Sequence, residues 1–277
     1  MTSGNGPGSP PAFDVRRALE AAVLASAAAS EVLLRRFRPA SSADLNSWMK
    51  SPGALVTDAD LESDAAIRDA LEKQRAPGRI LSEESVTERE GAGLTWLIDP
   101  LCGTVPFASG MSHWGVNIAL RRNAHLEVAV LNTPVGGEQL SAVRGRGVSR
   151  NGQAYKPQHA GKPLDESTIG LEIDGGSEWA RLLKHGLEWV PAAGQINTFA
   201  SAAYPMMQLC LGRLDAVVFY GIEPVHLAAG ALVASELGLR VTNALGASIE
   251  WSNDGEIAVV IAGWPPVHAE LIAAMKT

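Results

Sequence analysis

The sequence predicts a mixed α/β fold with a ligand crevice at the ends of its strands. Apolar residues recur at helical spacing in several segments, and short apolar runs typical of strands lie between them. Polar residues follow directly after several of these strands. In an open α/β sheet, such strand ends are where ligands bind, so we expect the functional site there.

Composition and charge exclude several classes of protein. The 277 residues are 46% hydrophobic and 19% charged, which excludes wholesale disorder and allows one large domain or two closely packed halves. The net charge of −7 without a basic cluster argues against a nucleic-acid partner, and the lack of a long apolar run argues against a membrane partner. Cys102 and Cys210 form no disulfide framework, so we expect a cytoplasmic protein.

The first part of the chain predicts a tail, a long helix, a loop and a second helix. Residues 1–12 are rich in Gly, Ser and Pro and indicate a flexible tail. Residues 13–37 carry apolar side chains at helical spacing and predict an amphipathic helix, whereas the polar stretch 39–52 predicts a loop. Residues 57–60 offer capping side chains for a helix over 61–74.

The middle of the chain predicts a sheet. Short apolar or alternating runs predict strands at 79–81, 94–98, 114–120 and 125–131. The last two are close enough in sequence to form a hairpin. Turn residues at 145–147 and 151–152 then predict a further meander of strands.

The last part of the chain, from about residue 167, again alternates strands and helices. Strands are predicted at 168–173, 214–219 and 256–262, and helices at 178–187, 202–211, 225–237 and 268–275. We expect Cys210, on an apolar helix, and Trp96, in a strand, to be core residues.

Acidic residues stand at the ends of four of these elements. They are Asp58 with Asp60, Glu83 with Glu84, Asp99 and Glu223. Separated acidic motifs of this kind are typical of Mg²⁺ sites, although helix capping and solvation are the better explanation of Asp58 or Glu84 taken alone. Asp99 is the strongest candidate because it follows a buried strand directly. Gly103 and Thr104 come after it and offer backbone N–H groups to an anion.

Several of these motifs together resemble the inositol monophosphatase family. The matching segments are 55–60, 82–85, 96–104, 130–134, 145–147, 151–152, 212–215 and 227–238. The resemblance covers nearly all of the chain after residue 13. It implies a layered αβαβα sandwich, usually a homodimer, that hydrolyses phosphomonoesters with Mg²⁺. We expect an N-terminal α+β half over 13–165, a C-terminal α/β half over 166–277, and the active cleft between them.

The same resemblance implies roles for residues that this sequence keeps. The implied ligands of a first metal are Glu83, Asp99 and the carbonyl of Leu101. Thr104 and Asp60 match the pair that orients the attacking water. Gly103 and Thr104 match the turn that faces the phosphate.

Other positions depart from the family pattern. Cys102 and His226 replace two aspartates that would hold a second metal together with Asp99. Phe219 stands where an acidic residue commonly meets substrate hydroxyls, and Asn197 stands where an arginine is common. Pro106 and Ala200 replace an asparagine and a glycine. The expected substrate-binding residues are Gly103, Thr104, Asn197, Ser201 and Phe219. Phe219 and Asn197 favour a substrate that is less polyhydroxylated than inositol and has an apolar portion.

Cys102 and His226 leave three functions open. The favoured one is a catalytic dyad, in which His226 lowers the pKa of the Cys102 thiol and Asp99 orients the ring. It would catalyse an acyl-transfer-like or cyclisation step on a small molecule. The second is a phosphomonoesterase with a rebuilt metal site, and the third is a non-catalytic binding relative. The cofactor is accordingly one Mg²⁺, a Zn²⁺ or none.

Three further residues are weaker candidates. His113 and Trp114 follow the motif turn and either line the pocket or pack beneath it. Glu223 is near enough to His226 in sequence to replace a lost carboxylate.

Overall fold

The computed structural model describes residues 13–38, 45–51, 54–88, 93–159, 161–173 and 186–276. The predicted tail over 1–12 lies outside the described residues. So does the predicted helix over 178–187, apart from its last two residues.

The helices agree with the amphipathic segments of the sequence. Within the described residues they are α1 (Val15–Arg36), α2 (Asp58–Lys73), α3 (Thr104–Ala108), α4 (Ala203–Cys210), α5 (Pro224–Glu236) and α6 (Pro265–Ala274). Five of them confirm predicted helices to within a few residues. The start of α2 was predicted three residues too late, because Asp58 already lies in the first turn. The short α3 was not predicted.

The strands of the described residues form a hairpin and two sheets. They are β1 (Ser47–Ser51), β2 (Ala54–Thr57), β3 (Arg79–Ser82), β4 (Val86–Thr87), β5 (Leu94–Cys102), β6 (Gly115–Arg122), β7 (His125–Thr133), β8 (Glu138–Val143), β9 (Val148–Arg150), β10 (Gln153–Tyr155), β11 (Thr168–Ile173), β12 (Gln195–Asn197), β13 (Ala216–Ile222), β14 (Arg240–Asn243) and β15 (Ile257–Gly263). The hairpin is β1–β2. The predicted loop over 39–52 is therefore wrong at its end, because residues 47–51 pair with β2.

The larger sheet has the strand order β10-β9-β8-β7-β6-β5-β3-β4. Every residue of its strand β5 is buried, and β5 runs parallel to β3 and antiparallel to β6. The predicted hairpin is confirmed as β6–β7, and the meander continues through β8, β9 and β10. This sheet places the end of β5, with its polar residues, near the middle of the molecule.

The smaller sheet has the strand order β12-β11-β13-β15-β14. β11 has parallel neighbours on both sides, whereas β15 is antiparallel to β13 and β14. The three strands predicted in this region are confirmed. The edge strands β12 and β14 were not predicted.

Two hydrophobic clusters separate the layers. One lies between helices α1 and α2 and the larger sheet, and α1 presents a stripe of small buried residues there. The other fills the space between the larger sheet, α4, α5 and the smaller sheet, and it also takes in residues of α6. The predicted layered α/β sandwich is confirmed, while the boundary at 165/166 stays a prediction. Among the described residues, no helix is long and apolar enough to cross a membrane.

Candidate active site

A carboxylate, a thiol and an imidazole meet where β5 ends and α5 begins. The pairing of β5 with β6 shifts register between Asp99 and Cys102, and both side chains are buried. His226 lies in the first turn of α5. The three side chains offer ligand or reactive atoms that all lie within 4.8 Å of one another. The structure therefore brings together the three residues that the sequence placed in one site.

The imidazole of His226 is held tightly by Asp99. Its Nδ1 lies 2.6 Å from Oδ2 of Asp99, and the same nitrogen lies 4.0 Å from Oε2 of Glu83. Burial by itself lowers the pKa of His226, but the charge and hydrogen bond of Asp99 outweigh it, with smaller contributions from Cys102 and Glu83. The pKa of His226 is raised well above 6.5, so the ring carries a proton at neutral pH.

The thiol of Cys102 is enclosed at the N-terminus of α4. Cys102 is only 4% exposed, and its Sγ accepts the backbone N–H groups of Ala202 and Ala203, each at 3.1 Å. Burial raises the pKa of the thiol to about 12, and the charge of Asp99 adds to this. The hydrogen bonds from His226 and Ala203 lower it, but by less. The expectation of a lowered thiol pKa is therefore wrong, because loss of solvent outweighs the imidazole.

Glu83 lies beside the same cluster. Burial and the nearby charge of Asp99 raise the pKa of Glu83 to about 8, against the opposing effects of His226 and Lys50. Lys50, on β1, forms ion pairs with Glu84 and, at 3.9 Å, with Glu83. The side chain of Glu83 is 29% exposed, so two carboxylates and a protonated imidazole meet at the edge of the buried cluster, which favours either a cation or a proton between them.

Asp60 and Thr104 form the second predicted pair. The hydroxyl of Thr104 donates to Oδ1 of Asp60 at 2.8 Å and lies 3.3 Å from the carbonyl of Leu101. The other oxygen of Asp60 accepts from the hydroxyl and the N–H of Thr57, at 2.6 and 2.8 Å. Burial raises the pKa of Asp60 to about 6, although these hydrogen bonds oppose it. The structure thus joins the two residues by a hydrogen bond, and their role toward a water molecule stays a prediction.

Gly103 and Ser201 join the loop after β5 to the loop before α4. Gly103 has φ +105°, in the left-handed region, and a Cβ there would lie 3.0 Å from Cβ of Ser201. The hydroxyl of Ser201 donates to the carbonyl of Cys102 at 2.9 Å. Both residues lie beside the cluster, and their substrate-binding role stays a prediction.

Other predicted residues lie elsewhere. Phe219 is 1% exposed and packs in the core, so its side chain has no surface for a substrate in this structure. Asn197 ends β12 and is half-buried. Trp114 is fully buried against Phe107, which makes it a packing residue rather than a pocket residue.

The remaining weak candidates lie in different surroundings, some near the site and some in the core. His113 is half-buried and packs its ring against Phe199 and Tyr204, close to Gly103. Cys210 and Trp96 are core residues, as predicted. Glu223 is exposed at the N-terminal end of α5.

Two residues near the site were not found from the sequence. Asn117 on β6 donates its side-chain N–H to the carbonyl of His226 at 2.9 Å. Glu172 on β11 accepts backbone N–H groups from the loop before α4. The available signal for Glu172 was a single charged residue inside an otherwise apolar strand, a position where a carboxylate needs a buried partner.

Comparison with known proteins shows which family this chain is related to. The inositol monophosphatase family model matches residues 14–276. A Nus factor SuhB from Pseudomonas aeruginosa is 30% identical over 249 residues, which cover 86% of this chain and 89% of that protein.

Solved structures give the same relationship. The extragenic suppressor protein suhB from Bartonella henselae superposes with a TM-score of 0.85 at 25% identity, covering 94% of this chain and 98% of that one. An IMPase from Thermotoga maritima has a TM-score of 0.76 at 22% identity over 94% and 96% of the two chains, a likeness of fold. The family match, the relatives and the shared fold lead to one conclusion: this chain belongs to the inositol monophosphatase family.

Proposed function

We propose that this protein is an enzyme that uses Cys102 as nucleophile, His226 as base and Asp99 as the group that orients the ring. Its reaction is an acyl-transfer-like or cyclisation step on a small molecule. The observation that carries the proposal is the 2.6 Å contact between Nδ1 of His226 and Asp99, which fixes the imidazole beside the thiol.

The length of that contact favours a hydrogen bond over a shared metal. Two ligand atoms bound to one tetrahedral Zn²⁺ at about 2.1 Å lie roughly 3.4 Å apart. The 2.6 Å separation in this structure is instead that of a short, charge-assisted hydrogen bond. Asp99 is therefore engaged in holding His226.

The protonation states of Cys102 and His226 determine when the proposed reaction is able to start. At rest the thiol of Cys102 and the ring of His226 both carry their protons, because burial raises the first pKa and Asp99 raises the second. Once His226 loses a proton, it is able to accept the thiol proton. The N–H groups of Ala202 and Ala203 then stabilise the sulfur anion.

The covalent step follows from this arrangement. Sγ forms a bond to an electrophilic carbon, the bond to the leaving group breaks, and His226 returns the proton to that group. Because the reactive form has one proton fewer than the resting form, we expect activity to rise with pH through the raised pKa of His226.

A phosphomonoesterase with a rebuilt metal site is the second candidate, and the intact Asp60–Thr104 pair favours it. The donor set of Glu83, Asp99 and the Leu101 carbonyl fits one Mg²⁺, since all three are oxygen ligands. A second Mg²⁺ does not fit, because a thiol and an imidazole are soft ligands that suit Zn²⁺. Bound Mg²⁺ would supply neutralisation of phosphate charge, while Asp60 and Thr104 would orient the attacking water.

One experiment separates these candidates. The alkylation rate of Cys102 is measured against pH, with and without chelator, and Cys210 serves as the internal reference. The proposal predicts a rate that rises with pH and does not depend on chelator. Protection that disappears on chelation would instead indicate sulfur bound to a metal.

Turnover of the Cys102→Ala variant completes the test. With chromogenic esters, we expect Cys102→Ala to abolish turnover and Cys210→Ala to retain it. Metal-dependent phosphatase activity that survives in Cys102→Ala would contradict the nucleophile and favour the second candidate. Tight ligand binding without any product would leave only a binding relative.

We further propose a cytoplasmic homodimer with the site in a cleft between residues 13–165 and 166–277. The family resemblance supports the dimer, and the use of residues from both halves in one cluster supports the cleft. Light scattering at micromolar concentration tests the dimer, and a monomer would contradict it.

A further inference from the structure

We infer that Glu172 is the positioning residue for the Cys102 thiol, acting through the loop that precedes α4. This inference rests on the proposed function only in making Cys102 the reacting group. The contacts that carry it are backbone hydrogen bonds on both sides of the loop over residues 199–203, here named the thiol loop.

Glu172 holds one side of the thiol loop. The residue is 9% exposed, and its Oε1 accepts the N–H of Phe199 at 2.8 Å. Its Oε2 accepts the N–H of Ser201 at 3.4 Å, and the N–H of Ala200 also contacts the carboxylate. One buried side chain therefore satisfies successive backbone donors, which a hydroxyl or an apolar residue of similar size is unable to do.

The other side of the thiol loop holds Cys102. The N–H groups of Ala202 and Ala203 point to Sγ, and the hydroxyl of Ser201 donates to the carbonyl of Cys102. Ser201 takes part in both sets of contacts, and Ala202 and Ala203 come one to four positions after the residues that contact Glu172. A shift of the loop at Phe199 or Ser201 would consequently move the two N–H groups away from the sulfur.

The thiol loop needs stabilising contacts because its backbone is strained at one residue. Ala200 has φ +53°, in the left-handed region that costs an L-residue free energy. Such a conformation persists only where the surroundings hold it in place, and the carboxylate of Glu172 does so from both sides of Ala200.

The position of Glu172 in the sheet explains its reach. On the neighbouring parallel strands β11 and β13, Glu172 is the register partner of Phe219, so the two side chains share a face of the sheet. Phe219 packs into the core, while Glu172 extends to the thiol loop. The resemblance implied an acidic residue at the position of Phe219. In this chain the neighbouring strand β11 supplies a carboxylate on the same face of the sheet, and we assign it a positioning role.

The test compares the two cysteines in variants of Glu172. Iodoacetamide alkylation of Cys102 and Cys210 is followed by mass spectrometry at one fixed pH in Glu172→Ala and Glu172→Gln. Hydrogen exchange of the thiol loop is measured in parallel. Glu127→Gln is the matched control, because Glu127 is a similarly buried carboxylate that pairs with Arg122 on the larger sheet.

We expect Glu172→Ala to increase the alkylation rate of Cys102 roughly tenfold, because opening of the thiol loop exposes a thiol that is only 4% exposed and this gain in access outweighs the loss of the two N–H donors. Exchange of the thiol loop should also become faster, with Cys210 unchanged. Glu172→Gln keeps one acceptor oxygen and should give an intermediate rate, and it serves as the folded variant if Glu172→Ala does not fold. Adding Ala200→Gly to either variant should return the rate towards that of the unmodified protein, because glycine adopts the loop conformation without strain.

Two results would overturn the inference. One is an unchanged Cys102 rate in a folded Glu172 variant. The other is an equal increase at Cys102 and Cys210, which would indicate a general loosening of the fold. If the proposed function is wrong, Cys102→Ala retains turnover. That result does not depend on the alkylation rates of the Glu172 variants, so the two failures are distinguishable.

Discussion

At the scale of single residues, Gly103 lies in tight surroundings beside the site. Its φ is +105°, and an added Cβ would lie 2.8 Å from the carbonyl oxygen of His113 and 3.0 Å from Ser201. Two separate penalties therefore apply to any side chain there, namely backbone strain and overlap with backbone that has no room to move. Gly147, with φ +77° and open space around it, carries only the first penalty.

This pair gives the first prediction. Gly147→Ala should destabilise the protein by about 1 kcal/mol, because the strain of a left-handed alanine acts alone. Gly103→Ala should cost about 3 kcal/mol, because overlap is added to strain. Urea unfolding of both variants measures the difference, and equal losses would show that the loop at Gly103 relaxes without cost.

The residues of the site were only partly predictable from the sequence. Asp99, Cys102 and His226 were found because motifs place them at element ends. The pKa of Cys102 was predicted in the wrong direction, because the sequence shows the imidazole but not the burial that outweighs it. Glu172 was missed because its partners are backbone N–H groups, which no side-chain pattern reveals.

At the scale of elements, the start of α2 links helix stability to the site. Thr57 precedes the helix, and its hydroxyl and N–H both donate to Asp60, which in turn accepts from Thr104. A helix cap and a catalytic candidate thus share one carboxylate. Loss of the cap should disturb both.

The second prediction follows from this sharing. Thr57→Val removes the hydroxyl donor to Asp60 and should destabilise the protein by about 1 kcal/mol. It should also raise the pKa of Asp60 above about 6, because that hydrogen bond lowers it. Thermal unfolding measures the loss, and Thr87→Val on the short strand β4 is the control. An equal loss in the control would argue against a capping role.

Long amphipathic or apolar elements were predictable, whereas short paired ones were not. Helices α1 and α5 carry their own periodic signal, and β5 is a continuous apolar run. Strands such as β1 and β12 contain polar residues and exist because a neighbour pairs with them. Pairing of this kind depends on tertiary structure, so local patterns did not indicate it.

At the scale of the whole molecule, several acids in and around the site have raised pKa values. They are Asp60 at about 6, Glu172 at about 7 and Glu83 at about 8, each raised chiefly by burial. When such an acid is protonated in the folded state but ionised in the unfolded chain, folding becomes less favourable as pH rises. His226 acts in the same direction, since its raised pKa stabilises the fold below about 6.5 and this contribution is lost at higher pH.

The third prediction is therefore a fold that loses stability from about pH 5 to pH 8 in the presence of chelator. Glu172 alone contributes up to about 3 kcal/mol across its shifted range, at about 1.4 kcal/mol per pKa unit. Melting temperatures measured over this range should fall steadily, and Glu172→Gln should reduce the slope. A flat profile in the unmodified protein would contradict the raised pKa values.

Two of the hydrogen bonds to the Cys102 sulfur come from the backbone N–H groups of Ala202 and Ala203 rather than from side chains. Every amino acid except proline supplies that donor, so any residue that fits the buried space at these two positions would keep the two hydrogen bonds. Among related sequences, conservation at 202 and 203 would therefore be a poor guide to whether the thiol is held. The two hydrogen bonds require only that proline be absent from these positions. In a related sequence, a proline at either one would therefore indicate that the cysteine sulfur has lost a backbone donor.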